Sequence, residues 1–246
     1  DIMVACPGRL LDLIDRGSVE LGDVEFVVID EADRMADMGF LPNVRDLLDQ
    51  TNPERQTLLF SATLDGDVDH LIRRYQQNPV RHEVASEEDD VDNRLHLFWK
   101  APRNERLSLC KESIKRFKST VVFTRTKRGA DRLEEQLRRE GVRSAVIHGG
   151  RTQSQRDRAL AQFTAGRVRV LVATDVAARG IHVDGVDCVI HYDVPEDDKV
   201  YVHRSGRTAR AGAEGTVISL VDHDMVRTVT QMQRRLQMAA GVIDPN

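Results

Sequence analysis

Aromatic residues make up only 4% of the sequence, with a single tryptophan, and none of the lysines falls within the first 90 residues. Cysteine is equally scarce. Cys6, Cys110 and Cys188 have no metal-ligand spacing, so they read as core or loop thiols of a reducing, cytoplasmic compartment rather than as a disulfide framework. No apolar run approaches the ~18 residues of a membrane span. The opening Asp1-Ile2-Met3-Val4 lacks the basic region of a secretory signal. It also lacks an initiator methionine and begins in a strand-like run, so the chain reads as a piece of a longer protein. What remains is ordinary for a globular chain: 246 residues, 40% hydrophobic and 31% charged, enough for one large or two small domains.

The net charge of −4 hides an asymmetry. Residues 1–90 hold 8 arginines against 21 carboxylates, a balance of −13, and residues 91–246 hold 28 cations against 19 carboxylates, a balance of +9. A basic second half can meet a polyanion such as nucleic acid, although charge runs are also found on solvated helix faces.

Phe26-Val27-Val28-Ile29 runs straight into Asp30-Glu31-Ala32-Asp33. The apolar run reads as a buried parallel strand ending at the edge where open α/β sheets bind ligands. An acid there can hold Mg2+ through water, and its neighbour can orient or deprotonate an attacking water. The alternative is a strand followed by an acidic helix cap.

Along the chain, strand and helix patterns alternate. Asp1 to Leu21 reads as a strand end, a turn at Cys6-Pro7-Gly8-Arg9 and a helix; the acidic strand end follows, then a helix from Asn43 to Gln50, a strand at Gln56–Phe60 and a helix at Asp67–Gln76. Residues 85–92 are acidic and nearly free of apolar side chains, which marks a linker between a domain over 1–84 and another over 93–246. After it, strands are expected at Leu95–Lys100, Thr120–Phe123, Ala145–Ile147, Val168–Ala173, Cys188–Tyr192 and Thr216–Val221, and a last helix at Met225–Met238. Such alternation predicts an α/β fold with parallel sheets.

Five motifs occur in order: Cys6-Pro7-Gly8-Arg9, Asp30-Glu31-Ala32-Asp33, Ser61-Ala62-Thr63, Ala173-Thr174-Asp175-Val176-Ala177-Ala178-Arg179-Gly180 and His203-Arg204-Ser205-Gly206-Arg207-Thr208-Ala209-Arg210. The set resembles the DEAD-box RNA helicases of superfamily 2, in a bacterial-type form, and the resemblance covers essentially the whole chain. It implies two RecA-like domains, the first incomplete, with ATP and Mg2+ as cofactors and RNA as a sequence-independent partner, in a monomer without membrane contact. By resemblance, Asp30 holds Mg2+ through water, Glu31 is the base for the hydrolytic water, and Asp33 bonds Ser61 and Thr63. Ser61 and Thr63 also suit a helix cap. Gly180, Arg207 and Arg210 join Asp30 and Asp33 in holding the nucleotide, with Arg210 as arginine finger, and His203 couples the domains. The spacing of Arg204, Arg207 and Arg210 puts all three on one face if the segment is helical, and a plain basic surface helix is the alternative. RNA contacts fall to Pro7, Gly8 and Arg9 in the first domain. In the second they fall to Thr124, Arg125, Gln153, Arg156 and Thr174, where Gln153 and Arg156 could equally be an exposed first helical turn.

The chain departs from the family in four places. It contains no Gly-x-x-x-x-Gly-Lys-Ser/Thr phosphate loop, which the family carries upstream of residue 1, so the chain by itself is expected to be inactive and residues 1–84 poorly stable alone. Cys6 stands where the family has Thr, and His182 where it has a ribose-contacting Asp, a role Asp184 could take. Ala209 replaces a common Gly and, on a helix, should matter little. Two rivals remain: a superfamily 2 DNA helicase, and a truncated protein that binds RNA or a partner helicase without turnover.

Overall fold

Proline at the first helical position costs nothing, because that N–H has no partner inside a helix. Pro7 takes this place in helix α1 (Pro7–Asp15), with Cys6 extended before it. The expected turn at Cys6–Arg9 is therefore helix from Pro7 onward. The computed structural model describes residues 2–64, 66–83, 94–175, 183, 185–209 and 214–245. They fall into two compact units divided between residues 84 and 85, and the expected linker at 85–92 lies outside the described residues.

In the first unit, β1 (Phe26–Ile29) pairs in parallel with β2 (Gln56–Leu59), Phe26 opposite Gln56 and Ile29 opposite Leu59. Helices α2 (Ala32–Asp37), α3 (Leu41–Leu48) and α4 (Gly66–Tyr75) complete it. Ile29, Ala32, Leu41, Val44, Leu48, Val68 and Leu71 form its core. Successive strand residues face opposite ways, and only one face of this sheet is covered. Phe26 and Val28, at 64% and 62% exposure, share the other with Leu58 and Phe60.

The second unit is one parallel sheet. Its strands are β3 (Arg94–Lys100), β4 (Thr120–Phe123), β5 (Ser144–Ile147), β6 (Val170–Ala173), β7 (Cys188–His191), β8 (Gly215–Val221) and β9 (Val242–Ile243), ordered β5-β6-β4-β7-β8-β3-β9. Helices α5 (Arg106–Lys115) and α6 (Lys127–Arg139) cover one face through Cys110, Ile114, Leu133 and Leu137, packed on Val122, Val172 and Ile190. Helices α7 (Gln153–Thr164), α8 (Asp198–Ser205) and α9 (Val226–Arg235) cover the other through Phe163, Tyr201, Val229 and Met232, packed on Val121, Phe123, Leu171 and Val189. A sheet sandwiched in this way needs apolar residues on both sides of each strand, and every residue of β4, β6 and β7 is buried. The last helix is shorter than expected because Asp222 caps a 3-10 turn at His223–Met225 before it, and Gln237 turns left-handed after it. β9, absent from the sequence reading, pairs with β3 at Phe98 and Trp99.

His191 ends β7 with no exposed surface. Its Nδ1 lies 3.3 Å from Ser219 Oγ, its ring meets Tyr201 edge-on at 4.8 Å, and Nε2 has no hydrogen-bond partner among the described residues. Burial, then Arg204, then His96 push its pKa well below the ordinary 6.5. As pH falls through about 6.5, the unfolded chain takes up a proton that folded His191 refuses, so stability is lost toward acid, at up to about 1.4 kcal/mol per pH unit for this group. Denaturant titrations at pH 7 and at pH 5 should show that loss, and His191→Asn should flatten it; equal slopes for both proteins would dismiss the assignment.

Candidate functional site

Strand β1 stops where its carboxylates begin. Ala32 N donates to Phe60 O at 3.1 Å, which carries the parallel pairing one step past the strand. Between them Glu31 is held at φ 50 and ψ 49, a left-handed backbone that costs an ordinary residue about 1–2 kcal/mol. Such strain concentrates at functional sites. Glu31 N donates to Asp30 Oδ1 at 2.9 Å, and the Glu31 carboxylate pairs with Arg34. Asp30 and Glu31 are exposed. Among the described residues no three His, Cys, Asp or Glu side chains are grouped to cage a metal. Mg2+ needs no such cage, since it keeps most of its waters and takes one or two carboxylates. Asp30, a hard oxygen donor at a strand end, fits that demand.

Asp33 is buried, at 7% exposure. Its N–H donates to Ser61 Oγ at 3.1 Å, and Ser61 Oγ lies 3.1 Å from Asp33 Oδ1 and 2.6 Å from Thr63 O. Ser61 therefore links the acidic motif to the loop after β2, and Thr63 enters through its carbonyl rather than its hydroxyl. Pro7, Gly8 and Arg9 form the first turn of α1, where Cys6 supplies no side-chain cap. Gly8 and Arg9 are exposed, and Arg9 pairs with Asp12. Uncapped N–H groups at a helix start favour an anion.

In the second unit the expected RNA residues gather at the carboxyl edge of the sheet, but they differ in access. Thr124 and Thr174 are 1% and 6% exposed, and their N–H groups continue the ladder to Ala173 O and Ile147 O. The Thr124 hydroxyl faces Thr126 O at 3.4 Å. Both threonines therefore present little surface at this edge. Arg125 is exposed and lies 3.5 Å from Glu196. Gln153 and Arg156 occupy the first turn of α7, joined Nη1 to Oε1 at 3.0 Å, and the capping box of Thr152 and Gln155 sets that turn.

Beside them stands a network the sequence reading missed. Buried His148 meets Asp131 Oδ1 through Nε2 at 2.8 Å, and its Nδ1 accepts from Gly150 N at 3.1 Å. That bond fixes the ring proton on Nε2. Arg151 Nη2 reaches the same Asp131 oxygen at 2.6 Å. Burial pushes the Asp131 carboxyl up, but the bonds from His148 and Arg151 outweigh it and hold the pKa below the usual range. A Cβ on Gly150 would stand 3.1 Å from His148 Nδ1 and 3.6 Å from Lys127 Cδ, so glycine suits this close approach. The signal was a His-Gly-Gly run straight after a strand.

The arginine motif departs from its expected helix. Helix α8 ends at Ser205 with Gly206 as its cap, so Arg204 and Arg207 do not share a helical face. Arg204 is 4% exposed, sits 5.1 Å over the Phe123 ring and reaches Asp175 through Nε at 2.5 Å and Nη2 at 2.8 Å; its Nη1 donates to Asp193 O at 2.8 Å. Arg207 is half-buried beyond the helix, and its carbonyl accepts from Val186 N at 3.2 Å. That bond, with the Val186–Thr208 bridge, draws the chain out of helical register. His203 is exposed. Gly180, His182, Asp184 and Arg210 lie outside the described residues.

The Helicase conserved C-terminal domain family matches residues 100–212, and the DEAD/DEAH box helicase family matches residues 1–71. The chain is 45% identical over 230 residues to the ATP-dependent RNA helicase RhlB of Pseudomonas syringae, covering 91% of this chain and 57% of that protein. Its fold is similar to S. cerevisiae Dbp5 bound to RNA and ADP BeF3, at TM-score 0.84 and 30% identity over 98% of this chain and 65% of that one. It is also similar to the E. coli DEAD-box protein SrmB bound to regulator of ribonuclease activity A, at TM-score 0.56 and 33% identity over 61% of this chain and 89% of that one. The chain spans 31% to 57% of the length of the curated relatives it matches here.

Two outcomes follow from the arginine motif. Removing one partner of a buried ion pair strands the other charge, so Arg204→Ala should cost about 3 kcal/mol of stability in chemical denaturation; a cost under about 1 kcal/mol would show that the pair does not support the fold. Ala209 sits at φ 55, off any helix, so the expectation that it matters little does not hold. Ala209→Gly should stabilise the chain by up to about 1 kcal/mol, read as a rise in melting temperature of a few degrees.

Proposed function

The chain belongs to the DEAD-box helicase family, and from that membership we propose that its protein is an ATP-dependent RNA helicase that separates short RNA duplexes locally. The observation that carries the proposal is the strand end at Asp30–Glu31, strained at Glu31 and tied through Asp33 to Ser61. In this reading residues 1–84 are the carboxyl-terminal part of the ATP-binding domain, 85–92 the linker and 93–246 the second RecA-like domain.

Asp30 would hold Mg2+ through water and, with Asp33, the nucleotide, and the bound ion would supply charge neutralisation at the phosphates. Glu31 orients the attacking water and accepts its proton. Its present partner, Arg34, is exchanged for that water when nucleotide binds. Arg207, with Gly180 and Arg210, meets the nucleotide from the second domain, and guanidinium forks suit the charge that develops in phosphoryl transfer. His203 couples the domains on closure, together with Asp33, Ser61 and Thr63. RNA backbone contacts come from Pro7, Gly8, Arg9, Arg125, Gln153 and Arg156. Thr124 and Thr174, at the ends of β4 and β6, contact that backbone as well through the little surface they present. Contacts of this kind fix the strand without reading its sequence. The protein acts as a cytoplasmic monomer. No helix among the described residues is long and apolar enough to cross a membrane.

The rival reading is a chain that binds RNA or another helicase without turnover, and the absence of a phosphate-loop sequence favours it for these 246 residues taken alone. ATP hydrolysis measured with and without RNA, for this chain and for a version extended upstream through a phosphate loop, separates the two. Stimulation by RNA rather than DNA in the extended version, abolished by Asp30→Ala with Glu31→Gln, is the expected result. No turnover in either version would favour the binding protein.

A further inference from the structure

The arginines and lysines of the second unit do not all serve the carboxyl edge of its sheet. Arg143 directly precedes β5, Arg167 lies three residues before β6, and Lys118 two residues before β4. These strands are adjacent in the order β5-β6-β4. Their entry segments are bonded side by side, Arg169 N to Arg143 O at 3.1 Å and Thr120 N to Arg169 O at 2.9 Å. Neighbouring strands lie about 4.8 Å apart, so the three entries form a short row. Arg116, ending α5, and Arg138, in the last turn of α6, reach the same amino-terminal edge. All five cations are exposed.

No ion pair or side-chain hydrogen bond engages any of the five among the described residues. The carboxylates in the same segments are already engaged. Glu112 and Glu140 pair with Lys115 and Lys111, Glu135 with Arg139, and Asp187 accepts the N–H groups of Lys118 and Ser119, both at 2.9 Å. A plainer account of Arg116 and Arg138 is that cations favour helix C-termini. Three helix ends meet this edge, worth about −1.5 charges together. That is too little to neutralise five exposed cations, of which only Arg116 also feels a carboxylate, Glu112, and Lys118, Arg143 and Arg167 lie beyond the helices.

We propose that this amino-terminal edge is a second RNA-binding surface, gripping the phosphate backbone of a strand whose other part occupies the carboxyl edge. The inference rests on the RNA reading above. A protein partner would need an apolar centre to its interface. Among the described residues of the second unit, the exposed large hydrophobic ones, Leu95, Val202 and Ile243, all lie outside these segments. Helix α7, 12 residues and so about 18 Å long, runs from Gln153 and Arg156 at one edge to Arg167 just past its end. Exposed Arg158 lies along the way.

The test compares two fluorescent single-stranded RNAs, one just long enough for one edge of the sheet and one several times longer, with the native chain and with R116Q/K118Q/R143Q/R167Q across a salt series. Each phosphate contact on a single strand contributes about 0.7 to the slope of log affinity against log salt. For the long RNA the variant should bind more weakly, with a slope shallower by about 3. The short RNA should bind both proteins equally, which also certifies the variant's fold. An unchanged slope with the long RNA overturns the second surface while leaving the RNA reading intact. If the native chain binds neither RNA, the RNA reading itself fails. If light scattering shows self-association that the variant loses while the long-RNA slope is unchanged, the edge serves the acidic segment of a second copy, and the proposal is overturned.

Discussion

Every strand pairing described in this protein is parallel, and that constraint organises the rest. A parallel strand cannot return through a tight turn, so each needs a crossover, here commonly a helix laid back across the sheet. The carboxyl ends of the strands then collect on one edge and their amino ends on the other. In the second unit this places Thr124, His148, Thr174 and Asp193 at the ends of β4, β5, β6 and β7, close enough for Asp193 to accept from Arg125 N at 2.9 Å. In the first it places Asp30 and Phe60 at neighbouring strand ends. Chemistry-bearing residues gather because backbone hydrogen bonds leave the polar groups nowhere else to converge.

Burial then decides which of the gathered charges belong to the fold. Arg204 and Arg207 are three residues apart in one motif, yet Arg204 spends its guanidinium on Asp175 and Asp193 beneath the Phe123 ring, while Arg207 lies past the helix end, half-buried. A desolvated guanidinium must have its donors satisfied or it is costly, and three of its nitrogens are. The same sorting separates Asp33, buried and bonded to Ser61, from exposed Asp30.

Much of this was legible in the residues. The β-branched runs at Val27–Ile29, Thr120–Phe123 and Val170–Ala173 announced buried parallel strands, and turn residues such as Gly141, left-handed at φ 80, announced helix ends. What failed did so for identifiable reasons. A spacing of three suggested a helix through Arg210, but the Val186–Arg207 hydrogen bond outweighs local propensity there, and long-range pairing is invisible in a local pattern. The depth of Thr124 and Thr174 was not legible, because the pattern shows where a strand ends, not how deep the next residue lies. β9 is only two residues long and carries no period of its own.

The left-handed residues carry the argument one step further. Among the described residues Glu31, Asn78, Ala209 and Gln237 adopt positive φ without being glycine. Asn tolerates that region, and Gln237 merely ends a helix. Glu31 and Ala209 are different, because each adjoins a residue held by long-range backbone bonding. Ala32 N is held by Phe60 O on one side of the first, while Val186 and Gly215 crowd the second. A Cβ on Gly215 would stand 2.7 Å from Ala209 N, so the two backbones lie close together there. In both places tertiary bonds hold the backbone where propensity would not put it, and a strained position persists only when its surroundings over-determine it. The strain therefore marks the two motifs as parts whose geometry is imposed by the sheets, and it lies beside the carboxylates and the arginine on which the chemistry is proposed to depend.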